Sequence, residues 1–255
     1  MITASEYNAF IHSESERFGF CLRAADPEAS VPTCPGWNTM DLLWHLTEVQ
    51  RFWTAIVSGR LESPDSVFAE RRDGPDEGED LHSLFAISTK ELIAALEGAE
   101  DDTKVWTWAA DQSVGFVRRR QAHEALIHRR DAESIVNNFG PMSPALATDG
   151  IDEILHHMLG GQASTDFVPD GSVCRITTSD TAVSWDLAMG TRLDKDGFVA
   201  SIEAETTTPD VVITAAAADL DTWLWGRTDS RYFDIIGDDT ISARLEALVS
   251  QIDNE

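Results

Sequence analysis

The sequence predicts two domains of different class: an all-helical N-terminal part spanning residues 1–160, followed by a smaller α+β part over residues 165–255. Up to Gly160-Gly161, apolar residues recur with the 3.6-residue period of helices buried on one face. Beyond it the runs become short, β-branched or alternating, and Asp, Gly and Pro separate them. At 255 residues the chain is long enough for two modest cores.

The first helix is expected over residues 4–25, where Phe10, Ile11, Phe18 and Leu22 share a side. "DPEASVPTCPGW" cannot continue it, because its three prolines break helical hydrogen bonding. Asn38 followed by Asp41 reads as an N-cap with an acidic third residue, opening a helix that stops near Gly59. Residues 61–80 are acidic and turn-rich and read as a mobile surface loop. Further helices are expected over 81–97 and 115–138, the latter closed by Gly140, and over "ATDGIDEILHHML". In the second part, "SVCRITTS", "AVSWDLAM", "FVASIEAET" and "DVVITAA" read as strands of an antiparallel sheet with helices on one face. "AADLDTWLWG" and "ISARLEALVSQI" read as helices, with a turn around Gly237 between them.

Composition narrows the function. Forty-five acidic against 19 basic residues give a formal net charge of −26. Such a surface repels phosphate backbones and anionic lipid, so no nucleic-acid or membrane role is expected. Lysine occurs only at positions 90, 104 and 195 and arginine supplies the other cations; with abundant Ala and Asp this suggests a high-GC bacterial genome. Cys21, Cys34 and Cys174 are odd in number and far apart, which fits a reducing cytoplasm better than a disulfide framework. There is no apolar run of membrane-spanning length and no export signal at the N-terminus.

The candidate chemistry lies in two helices. Asp41, Leu42, Val49, Phe52 and Ile56 fall within about 60° of His45 around its helix, so His45 sits inside an apolar stripe. Glu124 and His128 are four residues apart and point the same way, being rotated by only about 40°. A His from one helix with a Glu and a His from another makes a tripod that leaves one position of a tetrahedral zinc open, as catalytic sites do. The other reading gives Glu124 an ion pair with Arg120, one turn back, and leaves His128 a core histidine. His123 is a poorer ligand, roughly 140° from His128. Asp131 and Gln121 share the ligand face and are placed to brace ligand imidazoles or to be solvated.

"VPTCPGWNTMDLLWHLTEVQRFW", "RRRQAHEALIHRRDAE" and "ADLDTWLWGR…IGDD" together resemble the actinobacterial mycothiol-dependent maleylpyruvate isomerase family, over nearly the whole chain. The resemblance implies a DinB-like four-helix bundle followed by a sterol-carrier-like α+β domain. It implies zinc, or another divalent metal, on His45, Glu124 and His128, and mycothiol as the second cofactor. Zinc would lower the pKa of the thiol, and the thiolate would add to the cis double bond of maleylpyruvate, allowing rotation and elimination to the trans isomer. In related S-transferases the thiolate attacks other electrophiles. A functional arginine of the second domain maps to Arg227, with Arg231 as the fallback; its role is to bind a carboxylate of substrate or cofactor. The alternative for Arg227 is complementation of a helix dipole.

The expected function is thus a zinc-dependent, mycothiol-using isomerase or S-transferase acting on a small-molecule electrophile, as a monomer or homodimer. A metal-binding sensor or small-molecule carrier, and a zinc-hydroxide hydrolase with Asp131 as base, are the competing readings. Cys34 is expected to be a turn residue, since the nucleophilic thiol comes from the cofactor. His156 and His157, about 100° apart, do not chelate together. Trp106 and Trp108 are read as core, with lining of a pocket as the alternative.

Overall fold

The computed structural model describes residues 2–159, 167–192, 195–201 and 208–250. The chain divides into two compact units, residues 1–140 and 141–255.

The first unit is helical: α1 (Ala4–Ala24), α2 (Thr39–Gly59), the short α3 (Asp65–Ala69), α4 (Leu81–Glu97) and α5 (Val114–Val136). No strand interrupts residues 38–58 or 115–138. The start of α2 is the capping box expected from Asn38 and Asp41. Asn38 Oδ1 accepts from the amides of Met40 and Asp41 at 2.8 and 2.9 Å, and Asp41 Oδ2 accepts from the Asn38 amide at 2.9 Å. At the end of α5 the expectation is corrected. Asn137, with φ +47°, takes the left-handed C-cap conformation, and the Gly140 amide instead donates to Glu133 Oε1 at 3.0 Å. Asparagine tolerates this region well enough for the helix to stop three residues earlier.

Within the stretch expected to be loop, α3 is held down by one ring and one cation. Phe68 lies 5.3 Å from Phe52, and the Arg72 guanidinium stacks on Trp44 at 5.2 Å while pairing with Glu79. A single apolar pair, Val67-Phe68, has no periodicity to read in the sequence.

Contacts along the helices fix their directions. Arg118 donates to Asn8 at 3.1 Å and Arg17 to Glu133 at 3.0 Å, so α1 and α5 run parallel. Between the helices Phe18, Leu22, Leu42, Leu43, Leu46 and Phe85 form one buried cluster. Burying each such side chain stabilises the fold by about 1.5–3 kcal/mol. Polar groups within this core are paired. Gln50, 1% exposed, donates to Ser15 at 3.1 Å and accepts from Ser88 and Thr89 at 3.1 and 2.7 Å, linking α1, α2 and α4.

The second unit contains α6 (Pro144–Ile154), a π-helical turn (Leu155–Leu159), β1 (Phe167–Thr178), β2 (Ser184–Arg192), β3 (Lys195–Ser201), β4 (Val211–Ala215), α7 (Ala217–Leu224), β5 (Asp234–Gly237) and α8 (Asp239–Val249). Its sheet has the order β3-β2-β1-β4-β5. Three pairings are antiparallel, but β4 runs parallel to β1, so the sheet is mixed and not purely antiparallel as expected. Strand periodicity reports which residues face a core; it carries no information on which neighbour a strand joins or in which direction. The expected turn at Gly237 is the end of the extra strand β5. Gly237 has φ +127°, and a side chain there would meet the Asp210 carbonyl at 2.1 Å.

The expected linker, Gly160-Gly161, lies outside the described residues. The helix before it, expected with the helical domain, packs on α7 and groups with the second unit, so the division falls at Gly140/Pro141. Gly150 lets this packing be close, since a Cβ there would lie 2.8 Å from an Asp221 oxygen.

Glu133 is fully buried and joins α1 to the end of α5. Its carboxylate accepts from Arg17 at 3.0 Å, Arg129 at 2.9 Å, Arg130 at 3.0 Å and the Gly140 amide. Burial pushes its pKa up, but these donors outweigh burial and hold the carboxyl below its usual range. A depressed folded-state pKa stabilises the fold above the unfolded-state value and loses that contribution as pH falls through the folded value. We therefore expect Glu133→Gln to lower unfolding free energy by about 3 kcal/mol at neutral pH, because it strands buried guanidinium groups. Urea titrations at pH 7 and at pH values below the unfolded-state carboxyl pKa check this, since the difference between variant and wild type should shrink there.

Candidate metal centre

His45 lies mid-way along α2, and Glu124 and His128 share a face of α5, one turn apart. The structure brings all three together. Glu124 Oε1 lies 3.4 Å from His45 Nε2 and 3.2 Å from His128 Nε2, and each residue offers one ligand atom within 4.8 Å of the other two. Ligand atoms at usual zinc bond lengths around a tetrahedral centre stand roughly 3.4 Å apart, so the spacing suits an ion of that size. The donor set, two imidazole nitrogens and a carboxylate oxygen, suits zinc or a similar borderline divalent metal.

Arg120 pairs with Glu124 as well, at 3.2 Å, but on the other oxygen, Oε2. The two sequence readings of Glu124 are therefore compatible. Arg120 neutralises the outer oxygen while Oε1 remains between the imidazoles.

The electrostatics follow from that arrangement. Burial raises the Glu124 pKa, but hydrogen bonds from His128 and His45, with the charges of His128 and Arg120, hold it well below the usual carboxylate range. Burial alone depresses His128, yet the hydrogen bonds to Asp131 and Glu124 carry its pKa up to about 9. Burial depresses His45, and its contact with Glu124 only partly offsets this.

Asp131 braces the centre as its position on the ligand face allows. His128 Nδ1 is 2.9 Å from Asp131 Oδ2, and the Thr33 hydroxyl donates to Asp131 Oδ1 at 2.6 Å. An Nδ1–H donating to this fully buried carboxylate leaves Nε2 as the atom turned to Glu124 and His45. Gln121 makes no such contact.

Thr33 and Trp37 are site residues that the sequence reading did not single out. Both belong to the "VPTCPGW" segment. Cys34 to Trp37 form a β-turn closed by the Trp37 amide on the Cys34 carbonyl at 3.1 Å, with Pro35 second and Gly36 third at φ +90°. That is the type II pattern, in which only glycine sits third without strain. The turn sets the Trp37 ring 4.8 Å from the His45 ring and 6.4 Å from that of His128. Pro-Gly signalled the turn, but nothing in the spacing showed what the turn faces.

The other candidates make contacts of their own. Cys34, like Cys21 and Cys174, is a buried free thiol. His123 stacks edge-on against Tyr7 of α1, away from the ligand face. His156 bonds the Asp152 carbonyl one turn back at 2.7 Å. Arg227 follows α7 in the second unit and donates to the Trp225 carbonyl at 2.8 Å. Arg231 is exposed and chelates Asp229, with its Nε at 2.7 Å.

The family model of the mycothiol maleylpyruvate isomerase N-terminal domain matches residues 10–133. Through these residues the chain is similar to that family. All three clustered side chains lie inside the family domain. Two solved structures share the fold across both units. One is the crystal structure of the mycothiol-dependent maleylpyruvate isomerase, with a TM-score of 0.63 and 14% identity, covering 92% of this chain and 94% of that one. The other is a histidine-to-alanine mutant of that isomerase, with a TM-score of 0.60 and 13% identity over the same shares. No curated protein sequence matches the chain. No helix among the described residues is long and apolar enough to cross a membrane.

The bracing role of Asp131 is testable by metal titration. Asp131→Asn should weaken zinc binding by roughly 10- to 100-fold, the usual effect of removing a carboxylate behind a ligating histidine. Thr33→Val should weaken it less, because it removes only the contact behind Asp131. Equal zinc affinity in Asp131→Asn and wild type, by competition with a chromogenic chelator, would rule the role out.

Proposed function

We propose that this protein is a zinc-dependent enzyme that uses mycothiol, either as a maleylpyruvate-type isomerase or as an S-transferase. The observation that carries this reading is the convergence of His45, Glu124 and His128 on one point within a mycothiol maleylpyruvate isomerase N-terminal domain. The likeness of fold to the mycothiol-dependent isomerase supports it. In this reading the helical unit is a DinB-like four-helix bundle and the second unit is of sterol-carrier-like type.

His45 Nε2, His128 Nε2 and Glu124 Oε1 would hold the ion. When bound, zinc supplies Lewis acidity that makes a coordinated thiol ionise near neutral pH. The chain does the rest. Asp131, steadied by Thr33, fixes the His128 tautomer so that its Nε2 lone pair serves the ligand position. Arg120 holds Glu124 Oε2 and so keeps Oε1 facing inward. Trp37 supplies an apolar wall beside both imidazoles, which limits competing water. Three protein ligands leave a position for an exogenous thiol, whereas a structural zinc usually has four. Arg227, or failing that Arg231, would recognise a carboxylate of the substrate or of mycothiol. The soluble electrophile and the thiol are the expected partners, in the cytoplasm. A zinc-hydroxide hydrolase is less well supported, because its candidate base, Asp131, is already engaged by His128 and Thr33.

Purified chain loaded with zinc and supplied with mycothiol should be assayed against maleylpyruvate and against a neutral electrophile such as a bimane. Turnover of maleylpyruvate identifies an isomerase; conjugation of the bimane alone identifies an S-transferase. His128→Ala should lose bound zinc and thiol transfer together, whereas Arg227→Ala should keep its zinc and lose turnover. Zinc-loaded protein that neither binds mycothiol nor turns over either substrate would defeat the enzyme reading in favour of a carrier or sensor.

A further inference from the structure

Gln121 stands three residues before Glu124 and seven before His128 on α5, about 60° and 20° from them around the helix. It therefore belongs to the face that carries the metal ligands, roughly 4.5 Å along the axis from Glu124. The residue is 2% exposed, and neither its Oε1 nor its Nε2 has a hydrogen-bond partner among the described residues.

The same helical unit shows how a glutamine is buried for structural reasons. Gln50, 1% exposed, has its amide met by Ser15, Ser88 and Thr89. Gln121 has the same side chain and the same degree of burial but none of these partners. A buried polar atom without a partner costs about 1–3 kcal/mol, and an apolar residue of similar volume avoids that cost. The expectation that Gln121 braces a ligand imidazole is not met either, since the brace on His128 is Asp131. Its two idle polar atoms, one donor and one acceptor group, belong to the helix face that carries Glu124 and His128.

We propose that Gln121 is a ligand-recognition residue of the metal centre, its Nε2 donating to a carbonyl or carboxylate oxygen of the molecule bound there and its Oε1 accepting an N–H or O–H. The proposal rests on the function proposed above and adds a specificity-determining residue to it. The oxygen has two chemical sources, the amide and hydroxyl groups of the thiol cofactor or a carboxylate of the electrophile. A buried amide with no alternative partner discriminates strongly, because a ligand lacking the matching group leaves it unpaired.

The test uses the zinc-loaded full chain and Gln121→Leu, with calorimetric titration of mycothiol in one arm and of maleate in the other. Zinc content should be unchanged and thermal stability equal or higher, since an unpaired amide has been removed. The Kd of one probe should rise by roughly 10- to 100-fold, and the arm in which it rises identifies the source of the oxygen. If wild type binds and both dissociation constants match those of Gln121→Leu, the proposal is overturned while the enzyme reading stands. Lower stability with unchanged dissociation constants also overturns it, and shows that a buried water makes Gln121 structural. If wild type itself binds neither zinc nor mycothiol, the enzyme reading fails and takes this proposal with it. Should Gln121→Leu not fold, Gln121→Asn, which draws the amide back by one carbon, is read by the same two titrations.

Discussion

Glu124 carries a negative charge into the interface between α2 and α5, and much of the first unit is arranged to make that tolerable. A carboxylate out of water is stable only when paired and hydrogen-bonded. Here one oxygen is shared by His45 and His128 and the other is held by Arg120. His45 must come from α2, so the apolar packing around Leu42, Leu43 and Leu46 has a chemical consequence as well as an energetic one. It sets the separation of the two helices, and with it the spacing of the ligand atoms.

The bracing behind that carboxylate reaches back to a stretch with no regular structure. Thr33 and Trp37 are placed by the turn between α1 and α2, whose shape depends on Pro35 and on the positive φ of Gly36. Thr33 holds Asp131, Asp131 holds His128, and Trp37 lies against both imidazoles. A ligand histidine held through two successive hydrogen bonds loses little further freedom when an ion arrives, which is how preorganised metal sites gain affinity. The same side chains explain why the His128 pKa is pushed up and the His45 pKa down. Asp131 and Glu124 flank the first, whereas burial dominates the second.

Charge is used differently at the far end of the same helix. Around Glu133, three arginines and a backbone amide gather on one buried carboxylate, close the end of α5 and fasten α1 to it. There every acceptor is met from within the chain, as is every polar atom of Gln50. At the candidate metal centre the possible ligand atoms converge, and the Gln121 amide has no partner among the described residues. Glu133 and Gln50 are thus met from within the chain, whereas the Gln121 amide is not.

Local interactions were legible in the sequence. Helix periods, the Asn38-Asp41 capping box and the four-residue spacing of Glu124 and His128 all act within a turn or two, and the structure keeps each of them. The tripod reading already joined His45 to them, and the family resemblance rested on the same local segments. Tertiary structure decided what depends on residues far apart in the chain. It joined β4 to β1 in parallel, made a strand of residues 234–237, and grouped α6 with α7 instead of with the helical unit. It let Asn137 end α5 where Gly140 was expected, because Glu133 claimed the Gly140 amide. It also put Thr33 behind Asp131 and Trp37 against His45 and His128, and left the Gln121 amide without a partner among the described residues. Spacing along one helix tells which side chains share a face; only packing tells what that face meets, because hydrogen bonds and ring contacts between segments depend on separations that no local pattern encodes.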